Sequence, residues 1–367
     1  MKDQISDNQI NKYIYTPSKS ENPLELSGNK EVYYNIEIEN GKIIKLTIST
    51  SENSINIENP TGINITDITK SIVKTNEEEG YIATTEVIPP VIVYGVEFDL
   101  VAGTTTRKYD ATGMGYIKNT STIESDFDDA EIYKEMVEVE EDGNVFIKIP
   151  KFYIKKIVDI SGSNNKWEYQ ISKEPIEGGY LPACFYNEDT STELPYILVG
   201  KYNASASSGK LVSISGLAPE VNRTITSFRE LAIATGAGYQ LMDIHVVDVL
   251  QTLFYIEFAT LNSQSIMYGY ANNNSAKVNT GLTDTVSTPS GSPVSNTTGL
   301  NPMKYRGIEN LWGNVRQYID GINISSRKAY VARNASKYGT NKTDDGYVAV
   351  GYTNHNAGGY ITKMGYD

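Results

Sequence analysis

MKYRGIENLWGNVRQYIDGINI, running from Met303 to Ile324, is the stretch from which the fold is read. Gly307, Gly313 and Gly321 punctuate it, and glycine lets a backbone adopt φ > 0 or approach a neighbour closely. Between them stands Trp312, one of only two tryptophans, followed by Asn314. Val315, Gln317 and Ile319 then alternate with Arg316, Tyr318 and Asp320. The pattern predicts a glycine-bounded turn feeding a short strand with one apolar face.

The wording G-I-E-N-x-W-G-N-V from Gly307 to Val315, followed by an aromatic residue and Asp320-Gly321, is specific. It resembles a signature of the C-type-lectin-like fold shared by formylglycine-generating-enzyme-like domains and bacteriophage tail receptor-binding proteins. Two upstream stretches resemble the phage branch: SFRELAIATGAGYQLMDIHVVDVLQTLFYIEFATLNSQS (Ser227 to Ser265) and VFIKIPKFYIKK (Val145 to Lys156). The resemblance covers about Val91 to Asp367 and leaves the first ninety or so residues unexplained. Its structural motif maps onto Gly307, Glu309, Asn310, Trp312, Gly313, Asn314, Asp320 and Gly321. It implies a β-rich α+β chain whose lectin-like domain packs two helices on antiparallel strands. It also implies a virion protein of a phage tail or tail-like particle, at the baseplate or fibre, assembled in a bacterial cytoplasm. The implied partners are other tail or baseplate proteins, further copies of the chain (a trimer among the options), and a host cell-surface glycan or protein.

Formylglycine-generating enzymes work through a pair of cysteines, whereas Cys184 is alone here, and Arg316-Gln317-Tyr318 departs from the Trp-Glu-Trp common after Gly-Asn-Val in that branch. Oxidase activity is therefore not expected, and one thiol makes no intramolecular disulfide or thiolate metal site. Within LPACF it reads as a small buried hydrophobe.

Composition narrows the classes further. At 367 residues the chain is long enough for two or three domains. A formal charge of −13 argues against a nucleic-acid groove, which needs clustered Lys and Arg. Lys151, Lys155 and Lys156 occur together, but in a segment of alternating apolar residues, and read as a solvated face. Tyrosine is abundant, 27 against 8 Phe, and suits surfaces that meet proteins or sugars. The start, MKDQISDNQ, has no apolar h-region, and nowhere do about 18 apolar residues run together, so a soluble, cytoplasmically folded chain without a membrane span is expected.

Along the chain, Met1 to Asn22 is polar and aperiodic and reads as an arm. VYYNIEI and KIIKLTIST flank Asn40-Gly41, a strong hairpin signal. Residues 1–88 therefore read as an N-terminal all-β attachment or assembly module, closed by the stiff Pro89-Pro90. Residues 89–204 read as antiparallel β, with Asp142-Gly143 as a turn and Pro150 at an edge or bulge. Residues 205–367 read as the lectin-like core. Its first helix, FRELAIAT, is capped by Thr226 or Ser227 and stops at Gly236. Its second begins after Asp243 with a buried stripe of Ile244, Val247, Leu250, Phe254, Phe258 and Leu261, leaving Asp248, Gln251 and Thr252 mainly off it. Ala271 to Thr298, rich in Asn, Ser, Thr and Gly, reads as a surface excursion. RKAYVARNAS, YVAVGY and GGYITKMGYD read as further strands. The core looks shortened at its C-terminus, with only Gly358-Gly359 to suggest the further turn that its relatives carry, so either a neighbouring subunit or partner completes the sheet or the domain is a reduced form that keeps a scaffold role.

Asp126, Asp128, Asp129 and Glu131 supply close carboxylates, and glycan hydrolysis needs two of them, so a glycan-active tail enzyme is the alternative function. The same loop, or Asp344-Asp345-Gly346, offers oxygen ligands for Ca²⁺ without an EF-hand spacing, so no cofactor is expected beyond that option. His245 lies in the first turn of the long helix, far in sequence from His355, and reads as a hydrogen-bonded imidazole.

Overall fold

The computed structural model describes residues 91–367 except 273–275, 295–297, 341–345, 354–363 and 366–367. Of residues 1–90 it describes the strands alone. The chain divides into two compact units, Met1–Pro90 and Val91–Asp367. Both are β-rich, and every pair of strands among the described residues is antiparallel.

In the first unit, Val32–Glu39 and Lys42–Ser49 pair as the hairpin that the alternating runs predict. They form the centre of a four-stranded sheet with Asn11–Tyr13 and Ser54–Asn64 at its edges. A second sheet joins Thr16–Pro17, Tyr81–Thr85 and Ser71–Lys74. Two of these strands lie within Met1 to Asn22, so that stretch is not an arm along its whole length. Their polarity concealed them, because an edge strand takes its ladder bonds from backbone groups whatever its side chains.

In the second unit, Tyr153–Asp159, Lys166–Ser172, Tyr94–Asp99 and Thr104–Tyr109 form one sheet in that order. Asn144–Pro150 lies between Val137–Glu141 and Tyr196–Gly200, joined to the former by a two-residue turn in which Asp142 and Gly143 both have positive φ. Pro150 is thus the last residue of a central strand and not at an edge. There it faces only Tyr196, so no ladder donor is missed on the other side.

Helix α1 spans Ile225–Thr235 and starts three residues before the expected Phe228, because Thr224 is the residue whose hydroxyl accepts from the Ser227 amide. Helix α2 spans Ile244–Phe258, and the Asp243 carboxylate accepts from His245 and Val246 amides at 2.9 Å each. Its many β-branched and aromatic residues each lose up to about 0.7 kcal/mol of helix propensity. Burial of Val249, Leu250, Leu253 and Ile256, each at most 1% exposed, contributes about 1.5–3 kcal/mol apiece and outweighs that deficit. The buried surface also differs from the single stripe expected. Val246, Val249, Leu250, Leu253 and Ile256 join the core of the first sheet with Val96, Phe98, Ile154 and Ile171. Phe254 and Phe258 join a second core with Ile123, Met267, Met303 and Tyr305. Covered from two sides, α2 buries Thr252 and Glu257, while Leu261 lies beyond its end and is 47% exposed. A short helix, α3, spans Ser263–Ile266.

Residues 276–292 are not a free excursion. Thr280, Thr283, Val286, Ser290 and Ser292 are buried, and Ser290–Gly291 is a strand between Thr122–Ser125 and Lys304–Tyr305. Small polar residues order this segment because their partners are buried groups elsewhere in the chain, described below. A last sheet runs Ile322–Ser325, Lys328–Ala332, Tyr347–Thr353 and Met364–Gly365. Among the described residues, no helix is long and apolar enough to cross a membrane.

Candidate functional site

The Met303 to Ile324 stretch begins with a hairpin. Lys304 faces Glu309 and Tyr305 faces Ile308 across a two-residue turn of Arg306 (φ 46°) and Gly307 (φ 86°). A left-handed arginine costs about 1–2 kcal/mol, so something must hold it there. Arg306 is 2% exposed, and its Nε and Nη2 donate to both oxygens of Glu257 on α2 at 2.9 and 2.5 Å. Its Nη1 donates to Asp128 at 2.7 Å, and the guanidinium lies 4.9 Å from the centre of the buried Tyr133 ring. Burial opposes this charge, but Glu257 beside it prevails and raises the guanidinium pKa above its usual range. Sequence reading missed this pair. The one available signal was a bulky charged residue at a turn position that ordinarily takes Asn or Gly.

Three further polar motif residues, Glu309, Asn314 and Asp320, tie two other segments down. Glu309, 1% exposed, accepts from the Gly281 amide (2.9 Å), the Thr283 amide (2.8 Å) and the Thr283 hydroxyl (2.7 Å). Asn314 (φ 60°) imitates a strand: its side chain accepts from the Val278 amide at 2.9 Å and donates to the Val278 carbonyl at 3.1 Å. Together they order the segment that composition predicted to be loose. Asp320, 3% exposed, receives the Arg229 guanidinium of α1 through two bonds of 2.7 and 2.6 Å, and its backbone bridges the start of α2.

Beside Glu309, Asp284 accepts from the Tyr202 hydroxyl (2.6 Å) and the Ser215 hydroxyl (2.7 Å) and pairs with Lys201 (3.0 Å). Burial pushes its pKa up, but these three donors together outweigh burial and hold it below the usual carboxylate value. A depressed folded pKa stabilises the fold above the unfolded value of about 3.9 and ceases to do so as pH falls through the folded one. The urea midpoint of the wild type should therefore exceed that of Asp284→Asn above about pH 5, with the gap closing toward about pH 2. A gap that widened on acidification would contradict the assignment.

Trp312 is half-buried. Its indole N–H points to the carbonyls of Met267 (3.2 Å) and Tyr268 (3.3 Å), and its ring meets Phe254 edge-on at 5.6 Å. Gly313 (φ 87°) bridges Tyr270, and a Cβ there would lie 2.8 Å from the Tyr270 amide nitrogen, so the position admits glycine only. After it the expected strand does not form. Gly313 and Asn314 are both left-handed and turn the chain away, and Arg316, Gln317 and Tyr318 are all exposed instead of alternating. Among the described residues, no hydrogen bond reaches the backbone of residues 316–319. The segment is a strap fixed at Gly313 and Asp320, and in between it is held by Gln317 Nε2 on the Asn310 carbonyl (2.9 Å) and the Tyr318 hydroxyl on the Arg223 carbonyl (3.4 Å).

Cavities lie on both sides of the strap. One of about 260 Å³ is walled by Phe146, Tyr239, Ile308 and Phe228 and Ala232 of α1. The other, about 410 Å³, is walled by Leu250, Phe254 and Trp312. Asn310 lines the first; it is fully buried at φ 51°, and neither its carboxamide oxygen nor its nitrogen has a hydrogen-bond partner. The Tyr239 hydroxyl on the same wall is likewise buried without one.

The remaining candidates are placed as follows. Asp126–Asp128 is a 3₁₀ turn with a capping box; Asp126 accepts from the Gly115 amide at 2.7 Å and Asp128 binds Arg306, so two of the four carboxylates serve the fold. Burial pushes the Glu131 carboxyl pKa up. No group of three or more His, Cys, Asp or Glu that could hold a metal occurs among the described residues. Burial raises the Cys184 thiol pKa, and the residue packs against the main core. His245 donates from Nε2 to the Ala332 carbonyl at 2.9 Å. Lys151 pairs with Glu193 at 2.7 Å and Lys156 with Asp248 of α2, so that face is partly paired. His355, Asp344, Asp345 and Gly358-Gly359 lie outside the described residues.

The fold and its motif thus define a β-rich α+β protein with a polar-braced hairpin and strap against α2. No family model matches the chain, and no curated protein is similar to it.

Proposed function

We propose that the chain is a structural component of a bacteriophage tail or phage-tail-like particle, and that Val91–Asp367 is a C-type-lectin-like domain binding a host-surface receptor. The observation that carries the reading is the use made of the motif: Glu309, Asn314 and Asp320 face inward and brace the fold, while Arg316, Gln317 and Tyr318 beside them face solvent. A braced frame that displays a short exposed segment suits recognition of a surface. The first unit would attach to the tail, and exposed Val348 and Val350 on the last sheet offer a face for a neighbouring copy or baseplate protein.

Electron microscopy of particles labelled at the N-terminus tests virion membership and position together. A chain beginning at Val91 is expected to compete with particles for adsorption to host cells but not to be incorporated. Absence of label from purified particles would overturn the reading. Depolymerisation of host cell-surface polymer that a carboxylate-to-amide change abolishes would establish the glycan-active alternative instead.

A further inference from the structure

We infer that the 260 Å³ cavity beneath the strap is a subsite for the acetamido group of an N-acetylated sugar, entered by movement of residues 315–319. The inference rests on the host-surface reading and names the ligand chemistry at one site.

Three observations converge on it. The first is Asn310, a residue of this cavity's lining, whose carboxamide is fully buried with donor and acceptor both unpaired. Leaving such a group unmade costs about 1–3 kcal/mol, and the left-handed backbone accounts for Asn at this position only in part, since glycine would serve without that cost. An unpaired carboxamide is complementary to another amide, which offers one N–H and one C=O.

The second is the character of the walls. Phe146, Phe228, Met242 and Val246 present apolar surface suited to a methyl group, and Tyr239 adds a second unpaired polar group, its hydroxyl. Glu309 is already bonded to Gly281 and Thr283, and Glu220 to Arg223, so the lining carboxylates are matched within the fold and a cationic ligand is disfavoured. The volume lies just below the range of about 300–1,000 Å³ for drug-sized ligands, which fits one sugar residue.

The third is the strap. Asn310 is sealed from solvent, so a ligand reaches it only if something moves. Residues 316–319 make no backbone hydrogen bonds among the described residues, have cavities on both sides, and are held between their fixed ends by side chains alone. Opening requires loss of the Gln317 and Tyr318 side-chain bonds and of the Phe228–Tyr318 ring contact at 5.9 Å.

The test uses the full-length chain with N-acetylglucosamine, glucose and glucosamine as probes in ligand-observed saturation-transfer NMR. Saturable binding of N-acetylglucosamine is expected, at least tenfold tighter than of the other two, together with a shift of the Asn310 side-chain NH₂ resonances. Asn310→Gly accepts the backbone angle and removes the orphaned pair; it should melt at or above the wild-type temperature and bind at least tenfold more weakly. The NH₂ shift needs no variant and decides the matter if Asn310→Gly fails to fold. Equal binding of glucose, unchanged binding by Asn310→Gly, or no saturable binding of N-acetylglucosamine would overturn the inference. These outcomes are read on purified protein, so a failure of particle labelling refutes the tail assignment without touching the subsite.

Discussion

Glu257→Ala should destabilise the second unit by about 3–5 kcal/mol, the largest effect expected of any single substitution in this chain. Glu257 is fully buried on α2, and both its oxygens receive Arg306. Its loss leaves a guanidinium 2% exposed with Asp128 as its remaining ionic partner, and the cost is that of a charge kept from water without its counterion. The same reasoning predicts recovery when both charges go. Glu257→Leu with Arg306→Met should regain most of the loss, since apolar replacements of buried pairs are often neutral or better. The left-handed backbone at residue 306 strains Met and Arg alike and does not enter the difference. Urea unfolding of the wild type, the single variant and the double variant decides it. A cost below about 1 kcal/mol for Glu257→Ala would mean that water reaches the pair.

Trp312→Ala is expected to cost about 3 kcal/mol, the lower end of the range for truncating a large aromatic, because the ring is half-buried. The ring joins two parts of the fold that are distant in sequence: its N–H faces the carbonyls after α3, and it meets the Phe254 ring of α2 at right angles. Gly269 has no side chain where a Cβ would stand 2.8 Å from the indole, which shows how closely the chain is fitted around it. Trp312→Phe keeps a ring and loses the N–H, and should cost about 1 kcal/mol beyond its smaller area. Thermal melts of the two variants separate packing from hydrogen bonding. A Trp312→Ala chain that melts like the wild type and loses host binding would reassign the residue as a ligand platform.

The elements legible in the sequence were those whose causes lie within a few residues. Asp243 could be recognised as the cap of α2 because capping joins a side chain to amides two and three positions on. The hairpin at Asp142-Gly143 was legible because a two-residue turn sets its own register, and the pairing of Val32–Glu39 with Lys42–Ser49 because both runs alternate. The strand expected over Val315 to Ile319 failed because alternation describes side chains, whereas a strand needs a neighbour for its backbone, and none lies beside this strap among the described residues. Leu261 and Thr252 were misassigned because a stripe assumes one buried face, and α2 is covered from two sides.

By itself, then, the sequence determined a β-rich α+β chain, its tight turns, its helix starts and the glycines that its motif requires, since each follows from local backbone sterics and hydrogen bonding. Tertiary structure alone decided that Glu309 and Asn314 order residues 276–292, that Arg306 meets Glu257 across 49 positions, and that Asn310 is sealed unpaired beside a cavity. The physical reason is that a buried polar group is worth whatever partner the fold brings to it, and that partner lies too far along the chain for any local pattern to record it.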